Sequence, residues 1–210
     1  MKIQFLGHAG FKIDNLLIDP FITGQENCKV KIEDLDCDIV CVTHDHSDHL
    51  GDTYELAEKN NATIVAVAEL AFQAQQQGYK AEPMNIGGEI TVGDWKIKMV
   101  QALHSAASGT PVGFILKKDG QVVYHAGDTG LFKDMKLFRH HEIDVAMLPI
   151  GDRFTMGVMD AAKAASYLKC KKIIPMHYNT WPLIKADPNK LKENVSQEVL
   201  VLESGDVAYV

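Results

Sequence analysis

A dense cluster of histidines and aspartates directly follows an apolar segment near residue 40, and it constrains the fold more than any other feature of the sequence. The segment DIVCV, residues 38–42, is almost entirely apolar, as expected of a strand that is buried on both faces. The segment THDHSDHLGD, residues 43–52, follows at once and holds three of the nine histidines of the chain. A buried strand therefore delivers a group of ionisable side chains to one place.

The spacing within this cluster is typical of a metal site. His44 and His46 are two positions apart, so in extended backbone both imidazoles point the same way and can bind one cation. Asp48 and His49 follow in a turn and could bind a second cation nearby. Imidazole nitrogen and carboxylate oxygen both bind zinc, at about 2.0–2.2 Å. Burying so many ionisable groups without a cation would carry a large desolvation cost.

Three further candidate ligands stand where other predicted strands end. His104 follows WKIKMVQAL, Asp128 follows QVVYHAG, and His177 follows KKIIPM. A lone histidine at a strand end is usually structural or exposed, and Asp-Thr-Gly at 128–130 is also good turn chemistry. Residues at the same ends of neighbouring strands meet in space, however, so we expect these three side chains to join the first cluster.

The rest of the chain alternates strand patterns with helical segments. Strands are predicted for MKIQFL, GFKI, LLIDP, TIVAV (63–67), 143–150, 171–177, VLVL and VAYV, and hairpins around Gly93-Asp94 and Asp119-Gly120. Helices are predicted near 52–60, 68–77, 131–141 and Met159–Lys169. This order predicts an α/β fold with two antiparallel-rich sheets packed face to face and helices outside. A single α/β layer is the alternative.

Length and composition set the remaining limits. We expect residues 1–210 to form a single domain made of two similar halves that share a core. The net charge of −7 and the scattered lysines argue against long nucleic acids as partners, although a local cationic site could hold a small anion. The N-terminus lacks the features of a secretory signal, and no apolar run approaches the ~18–20 residues of a membrane span. These features predict a cytoplasmic protein.

Cysteine chemistry is not the basis of the predicted site. The chain has four cysteines, and none forms a C-x-x-C pair: Cys28, Cys37, Cys41 and Cys170. The sequence therefore shows neither a disulfide framework nor a cysteine-based zinc site.

The order and spacing of the seven candidate ligands resemble the metallo-β-lactamase superfamily, and the resemblance covers essentially the whole chain. It implies a four-layer αββα sandwich. It further implies that His44, His46 and His104 bind one metal, that Asp48, His49 and His177 bind a second, and that Asp128 bridges both. The stretches GHAGFKI, IDP, ALHSAASG, AGDTG, LPIGDRFTMG and MHYNTWP are similar to uncharacterised metal-dependent hydrolases in the branch of L-ascorbate-6-phosphate lactonase.

The resemblance implies a hydrolase with two divalent metal ions. Zinc is the first expectation, and manganese, iron or nickel also suit a set of nitrogen and oxygen ligands. A metal can lower the pKa of its bound water from 15.7 to roughly 7, so hydroxide becomes available to attack a small-molecule ester, lactone or phosphodiester. A non-catalytic metal- or ligand-binding regulator on the same scaffold is the alternative. A homo-oligomer is compatible with both the hydrolase and the regulator.

Further residues are expected to complete the site. His8, with Asp48 and Asp128, is a candidate catalytic residue that would contact substrate or donate a proton, and a structural histidine is the alternative. Arg153 would hold an anionic group of the substrate, unless Asp152 ties it into an ion pair. The pocket rim is predicted to include Tyr178, Asn179 and Trp181.

Other neighbours of the cluster are assigned supporting roles or none. Asp45, Thr43 and Thr129 are expected at most to orient an imidazole. The remaining histidines, His125, His140 and His141, have no motif that supports a ligand role.

Overall fold

The computed structural model describes residues 1–26 and 28–210, and within them the chain forms two mixed β-sheets of seven strands each. The first sheet has the order β14-β1-β2-β3-β4-β5-β6. Its strands are β1 (Lys2–Gly7), β2 (Gly10–Ile13), β3 (Leu16–Ile18), β4 (Ile39–Cys41), β5 (Thr63–Val67), β6 (Ala81–Met84) and β14 (Val207–Tyr209).

The second sheet has the order β13-β12-β11-β10-β9-β8-β7. Its strands are β7 (Glu89–Val92), β8 (Trp95–Gln101), β9 (Val112–Lys118), β10 (Gln121–His125), β11 (Val145–Pro149), β12 (Lys172–Met176) and β13 (Glu198–Val199). Along the order β14 to β6 and along the order β7 to β13, three antiparallel pairings are followed by three parallel ones. The sheets are therefore evenly mixed rather than antiparallel-rich.

Helices cover the outside of both sheets. The α-helices are α1 (Ser47–Leu50), α2 (Thr53–Asn60), α3 (Ala68–Gln76), α4 (Val158–Leu168) and α5 (Pro188–Asn194), and 3-10 helices cover Ile32–Asp34, Lys133–His141 and Pro182–Ile184. Helices α2 and α3 pack on the first sheet, and α4 and α5 pack on the second. Among the described helices, none combines the length and apolar character that a membrane crossing needs.

One apolar core lies between the two sheets and draws on both. Phe11 of the first sheet and Trp95 and Phe114 of the second are fully buried in the same cluster. The Trp95 indole N–H donates to the Asn15 side-chain oxygen at 2.9 Å, which satisfies the one polar atom of this large buried ring. The described residues therefore form the expected αββα sandwich, and the four cysteines are free.

The two predicted hairpins are confirmed by strand register. Val92 pairs with Trp95 across the Gly93-Asp94 turn, and Lys118 pairs with Gln121 across Asp119-Gly120. Asp119 and Gly120 both have positive φ, 51° and 77°, as a type I′ turn requires.

Other local predictions need correction. The segment predicted as a helix over 131–141 is a 3-10 helix at Lys133–His141, and Met135 is its one buried residue, so little apolar packing stabilises a longer helix. Of VLVL only Val199 lies in a strand, and Val201 is exposed. Strand β6 and helix α5 were not predicted. Strand β6 is a sheet edge, where Pro83 is tolerated, and the N-cap Asp187 with Pro188 begins α5.

Candidate metal centre

Strand directions bring the predicted ligands to one edge of each sheet. Strands β1 and β3 are both antiparallel to β2, and β4 is parallel to β3, so the carboxyl ends of β1, β3 and β4 lie at the same edge. In the second sheet, β8 and β10 are both antiparallel to β9, and β11 and β12 run parallel to β10. His104, Asp128 and His177 follow the carboxyl ends of β8, β10 and β12. The topology therefore explains why distant parts of the sequence meet.

The backbone turns sharply where three of these strands end. His8, Asp19 and His177 have φ values of 54°, 46° and 52°, in the left-handed region that residues other than glycine rarely adopt. Each conformation carries a strain of about 1–3 kcal/mol and persists only where surrounding contacts enforce it. Strain of this kind concentrates at functional sites, and here it lies beside the predicted ligands.

The first expected metal group converges. His44, His46 and His104 each offer a ring nitrogen, and these atoms all lie within 4.8 Å of one another. His44 is buried, whereas His46 and His104 are partly exposed. The Nδ1 of His44 lies 3.0 Å from Thr43 Oγ1, so the Nε2 of this ring faces the other histidines.

The second expected group also converges, with one addition. Ligand atoms of Asp48, His49, His177 and His8 all lie within 4.8 Å of one another. The Oδ2 atom of Asp48 lies 3.8 Å from the Nε2 of both His49 and His177, and 3.0 Å from the Nε2 of His8. The resemblance made His8 a candidate catalytic residue with a structural histidine as the alternative, and the structure puts its ring within hydrogen-bond reach of Asp48.

Asp128 lies between the two groups. Its Oδ1 is 3.3 Å from His49 Nε2, and its Oδ2 is 3.5 Å from His104 Nε2 and 2.9 Å from His177 Nε2. The backbone before it requires glycine, because Gly127 has φ +60° and a Cβ there would lie 2.5 Å from the Val112 carbonyl oxygen. This is the position that the resemblance assigns to a bridging ligand.

The charges and orphaned atoms of the cluster fit divalent metals. His49 Nε2 and Asp128 Oδ1 are buried and lie 3.3 Å apart, but within the described residues neither atom makes a hydrogen bond of good geometry. Burial opposes ionisation of Asp128, but His49 and His177 hold the pKa of its carboxyl well below the usual value. Burial lowers the pKa of His44 to about 3. Ionised carboxylates and a neutral imidazole are the states that metal binding needs. Burial opposes the charged forms of His49 and His177, but Asp128 beside them raises the pKa of both rings, so a metal that binds there must displace a proton.

A cavity of about 250 Å³ opens onto this cluster. Its walls are formed by His46, Asp48, His104, Ser105, Asp128, Phe154, His177 and Trp181. The Trp181 ring stacks on His8 with centroids 4.8 Å apart, and of these two residues only Trp181 lines the cavity. The cavity thus combines the polar cluster on one side with two aromatic rings on the other.

The other candidate substrate residues do not line this cavity. Tyr178 and Asn179 line a separate cavity of about 260 Å³ that also contacts His8. Arg153 is exposed, and its guanidinium lies 5.8 Å from the Phe154 ring. Within residues 1–26 and 28–210 it has no carboxylate within 4.0 Å, so the alternative ion pair with Asp152 is not formed.

Several supporting residues contact backbone rather than imidazole. The Oδ1 of Asp45 accepts from the Ala107 N–H at 2.9 Å, and Thr129 Oγ1 accepts from the Leu103 N–H at 2.9 Å. Both contacts fix the segment around His104.

His125 uses both ring nitrogens in contacts with the backbone: its Nε2 contacts the Ala9 carbonyl at 2.8 Å and its Nδ1 accepts from the Gly127 N–H at 3.1 Å. No ring nitrogen of His125 is therefore left for a metal.

Asp19 belongs to this site, but the sequence analysis did not single it out as a site residue. It is fully buried, and its carboxylate contacts both Thr43 and His49. Burial would raise the pKa of this carboxyl, but His49 beside it holds the pKa below its ordinary value. The available signal was its place directly after the buried strand β3, the same placement that identified Asp128 and His177.

The fold and the cluster together define a metallo-β-lactamase-fold protein with a candidate metal centre of histidine and aspartate side chains. Residues 14–178 match the sequence profile described as the beta-lactamase superfamily domain. A metal-dependent hydrolase of Pelotomaculum thermopropionicum is 47% identical over 98% of this chain and 98% of its own length. A relative of the same name in Methanopyrus kandleri is 45% identical with the same coverage.

A solved structure agrees with these relatives. Igni18, described as a novel metallo hydrolase from the hyperthermophilic archaeon Ignicoccus hospitalis, superposes with a TM-score of 0.93 and 36% identity over 99% of this chain and 97% of that one. The chain therefore belongs to the beta-lactamase superfamily and, within it, to the UPF0173 metal-dependent hydrolases. The resemblance drawn from the sequence is confirmed for the superfamily and the fold.

Proposed function

We propose that this chain hydrolyses a small-molecule ester, lactone or phosphodiester at a centre of two divalent cations, with zinc as the first candidate. The observation that carries the proposal is the position of Asp128, which contacts histidines of both ligand groups within 3.5 Å. A carboxylate placed in this way can hold two cations side by side.

The ligand sets follow from the two groups. His44, His46 and His104 would hold one cation, and Asp48, His49 and His177 would hold the other. Every donor is nitrogen or oxygen, which suits zinc and also manganese, iron or nickel. Two bound cations would supply activation of water and polarisation of the substrate carbonyl or phosphoryl oxygen.

The protein's own groups would orient the reacting atoms. Asp48 is the more exposed carboxylate of the cluster, with 19% of its side chain accessible, and it lines the cavity. Its Oδ2 can accept a hydrogen bond from water that attacks the substrate. Burial lowers the pKa of His8 to about 4, so its ring is neutral, and its Nε2–H donates to Asp48 while Nδ1 accepts from Thr180 Oγ1. His8 therefore acts on Asp48 rather than directly on substrate.

The cavity favours a compact substrate. A volume of about 250 Å³ lies below the usual range for drug-sized ligands, and its aromatic wall of Phe154 and Trp181 suits an apolar or aromatic substituent. Arg153 is close enough to Phe154 to meet a carboxylate or phosphate that extends beyond the cavity mouth.

Metal analysis together with a substrate panel tests the proposal. Purified protein should carry two divalent ions per chain and hydrolyse members of a panel of nitrophenyl esters, lactones and bis-nitrophenyl phosphate. His46→Ala should lower turnover at least about 100-fold, because removing a ligand costs metal. His140→Ala is the matched control, since His140 is exposed on the 3-10 helix away from the cluster. If the protein carries stoichiometric metal but hydrolyses no member of the panel, the result would instead support the alternative of a non-catalytic metal-binding regulator.

A further inference from the structure

One polar residue in the wall of the metal cavity has no part in the proposed metal centre. Among the described residues, eight form the walls, and five of these are proposed metal ligands. The other three are Ser105, Phe154 and Trp181. Ser105 is the only one of the three with an aliphatic hydroxyl, and it directly follows the proposed ligand His104. Its side chain therefore lies where a substrate would meet the metals.

The Ser105 hydroxyl is available to a ligand. The residue is exposed, and among the described residues its hydroxyl makes no hydrogen bond. A serine that stabilises local backbone usually bonds to it, as Ser166 Oγ does when it donates to the Lys163 carbonyl at 2.7 Å. Ser105 has no contact of this kind, so its hydroxyl does not stabilise the turn that carries it.

Hydrogen bonds on both sides of Ser105 hold its backbone in place. Before it, the Leu103 N–H donates to Thr129 Oγ1 at 2.9 Å. After it, the Ala107 N–H donates to the Asp45 carboxylate at 2.9 Å. A donor whose position is fixed before the substrate binds loses little freedom on binding, so it stabilises developing charge more effectively.

Hydrolysis of an ester or phosphodiester creates a need for such a donor. When the bond between the scissile carbon or phosphorus and the leaving oxygen breaks, its electron pair passes to that oxygen. Two bound cations would stabilise the carbonyl or phosphoryl oxygen and activate water. Negative charge on the leaving oxygen then needs either a contact with a cation or a hydrogen-bond donor in the cavity wall.

Two wall residues can donate a hydrogen bond without being proposed metal ligands. The Trp181 indole has an N–H, but its ring stacks on His8, which limits the directions in which this N–H can point. The Ser105 hydroxyl can rotate about its Cβ–Oγ bond and so follow the leaving oxygen as the bond lengthens. Phe154 offers no donor. Ser105 is therefore the donor that suits a leaving oxygen best.

We propose that Ser105 is a catalytic residue whose hydroxyl donates a hydrogen bond to the leaving oxygen of the substrate. Ser105 keeps its proton throughout. The water that is consumed gives its hydroxyl to the acyl or phosphoryl group and its remaining proton to the alcohol that leaves. The assignment rests on the proposed hydrolytic function, and it adds a capacity for substrates with poor leaving groups, such as alkyl esters.

A series of leaving groups on one acid tests the contact. Ser105→Val and Ser105→Thr are a matched pair, because the two new side chains have the same shape and differ in the hydroxyl. With metal content verified as equal, Ser105→Val should lower kcat about 10- to 100-fold for the methyl ester or phosphodiester and less than about 3-fold for the 4-nitrophenyl one. A good leaving oxygen carries its charge without help, which explains the difference.

Two controls and one contrary result complete this experiment. Ser105→Thr should keep the wild-type dependence of kcat on the leaving group, since it retains the hydroxyl. Ser166→Ala, on α4 and outside the cavity, should match wild type for every substrate. A loss in Ser105→Val that is equal for methyl and 4-nitrophenyl substrates would show that a cation or another group stabilises the leaving oxygen, and it would overturn the proposal.

Titration with inorganic phosphate tests the same contact without turnover, because phosphate places an oxygen on every side of phosphorus. In calorimetry of zinc-loaded protein, Ser105→Val should bind phosphate about 10-fold more weakly than wild type, Ser105→Thr and Ser166→Ala. If wild type binds phosphate but hydrolyses nothing, the proposed function fails and this titration alone decides the Ser105 contact. Equal affinity in Ser105→Val and wild type, or a zinc-loaded wild type that neither binds phosphate nor cleaves any substrate, would overturn the proposal.

Discussion

The backbone N–H of His177 donates to the backbone carbonyl of His8 at 2.7 Å, and this hydrogen bond joins the two sheets at the metal edge. His8 follows β1 of the first sheet, and His177 follows β12 of the second. Both residues have positive φ, and their rings lie 4.2 Å apart. The second ligand group is therefore built across the sandwich, and its geometry depends on how the two sheets pack.

Metal removal should destabilise the fold measurably. The metal-free cluster leaves His49 Nε2 and Asp128 Oδ1 buried without a well-formed hydrogen bond, and a ligand at about 1,000 times its Kd stabilises a protein by about 4 kcal/mol. Complete chelation should then lower Tm by on the order of 10 °C in calorimetry, and zinc should restore it. A His46→Ala/His49→Ala double variant should not respond to chelator. If adding zinc to the chelated protein left Tm unchanged, the cluster would not bind metal in the folded state.

Replacing Gly127 should lower the free energy of unfolding more than replacing another glycine of positive φ. Gly127→Ala adds a Cβ 2.5 Å from the Val112 carbonyl, so strain and overlap together should cost about 2–4 kcal/mol. Gly120 has φ +77°, and a Cβ added there would meet no heavy atom within 4 Å, so Gly120→Ala should cost only about 1 kcal/mol. Urea unfolding of the metal-free proteins measures both, and equal losses would contradict the argument from close approach.

Residues that follow the same ends of neighbouring strands meet in space, and this rule explains how much of the site the sequence could predict. His104, Asp128 and His177 were identified because each follows an apolar strand, and both histidines lie within 3.5 Å of the Asp128 carboxylate. Asp19 obeys the same rule, but a single Asp before Pro20 is also ordinary turn chemistry, so local pattern does not separate the two roles.

Elements with little buried apolar surface were the hardest to predict. Edge strand β6 pairs on one side and contains Pro83, so its pattern is weak. The 3-10 helix at Lys133–His141 has one buried residue, Met135. The contact of Trp181 with His8 depends on the packing of two sheets, which periodicity within one strand cannot report.

If His8 acts through Asp48, replacing His8 should lower kcat for all substrates alike. Asn is a suitable replacement because it tolerates the positive φ of this residue, yet it is too short to keep the contact with Asp48. His8→Asn should lower kcat about 10- to 100-fold for esters of good and poor leaving groups alike. His141→Ala serves as the control. A loss confined to poor leaving groups would identify His8 as a direct proton donor instead.

Arg153 should discriminate among substrates by charge. It is exposed beside the cavity, and no carboxylate of the described residues neutralises it. Arg153→Gln should raise KM several-fold for an ester that carries a distal carboxylate, because a hydrogen bond to a charged group contributes about 1.5–3 kcal/mol before solvent screening. KM for the matching methyl-capped ester should not change. Equal effects on both esters would exclude a charge contact at this position.

Phe154 should set the preference for aromatic substrates. It lines the metal cavity and is 48% exposed, so its ring face is available to a ligand. Contacts between aromatic rings contribute about 0.5–1.5 kcal/mol, so Phe154→Ala should raise KM for phenyl esters about 2- to 10-fold. KM for acetate esters of small alcohols, kcat and metal content should stay constant, because no ligand is disturbed. Phe72→Ala is the control, since Phe72 is equally exposed but lies on α3 outside the cavity. If alkyl and phenyl esters lost affinity equally, the aromatic wall would not be the element that selects substrate.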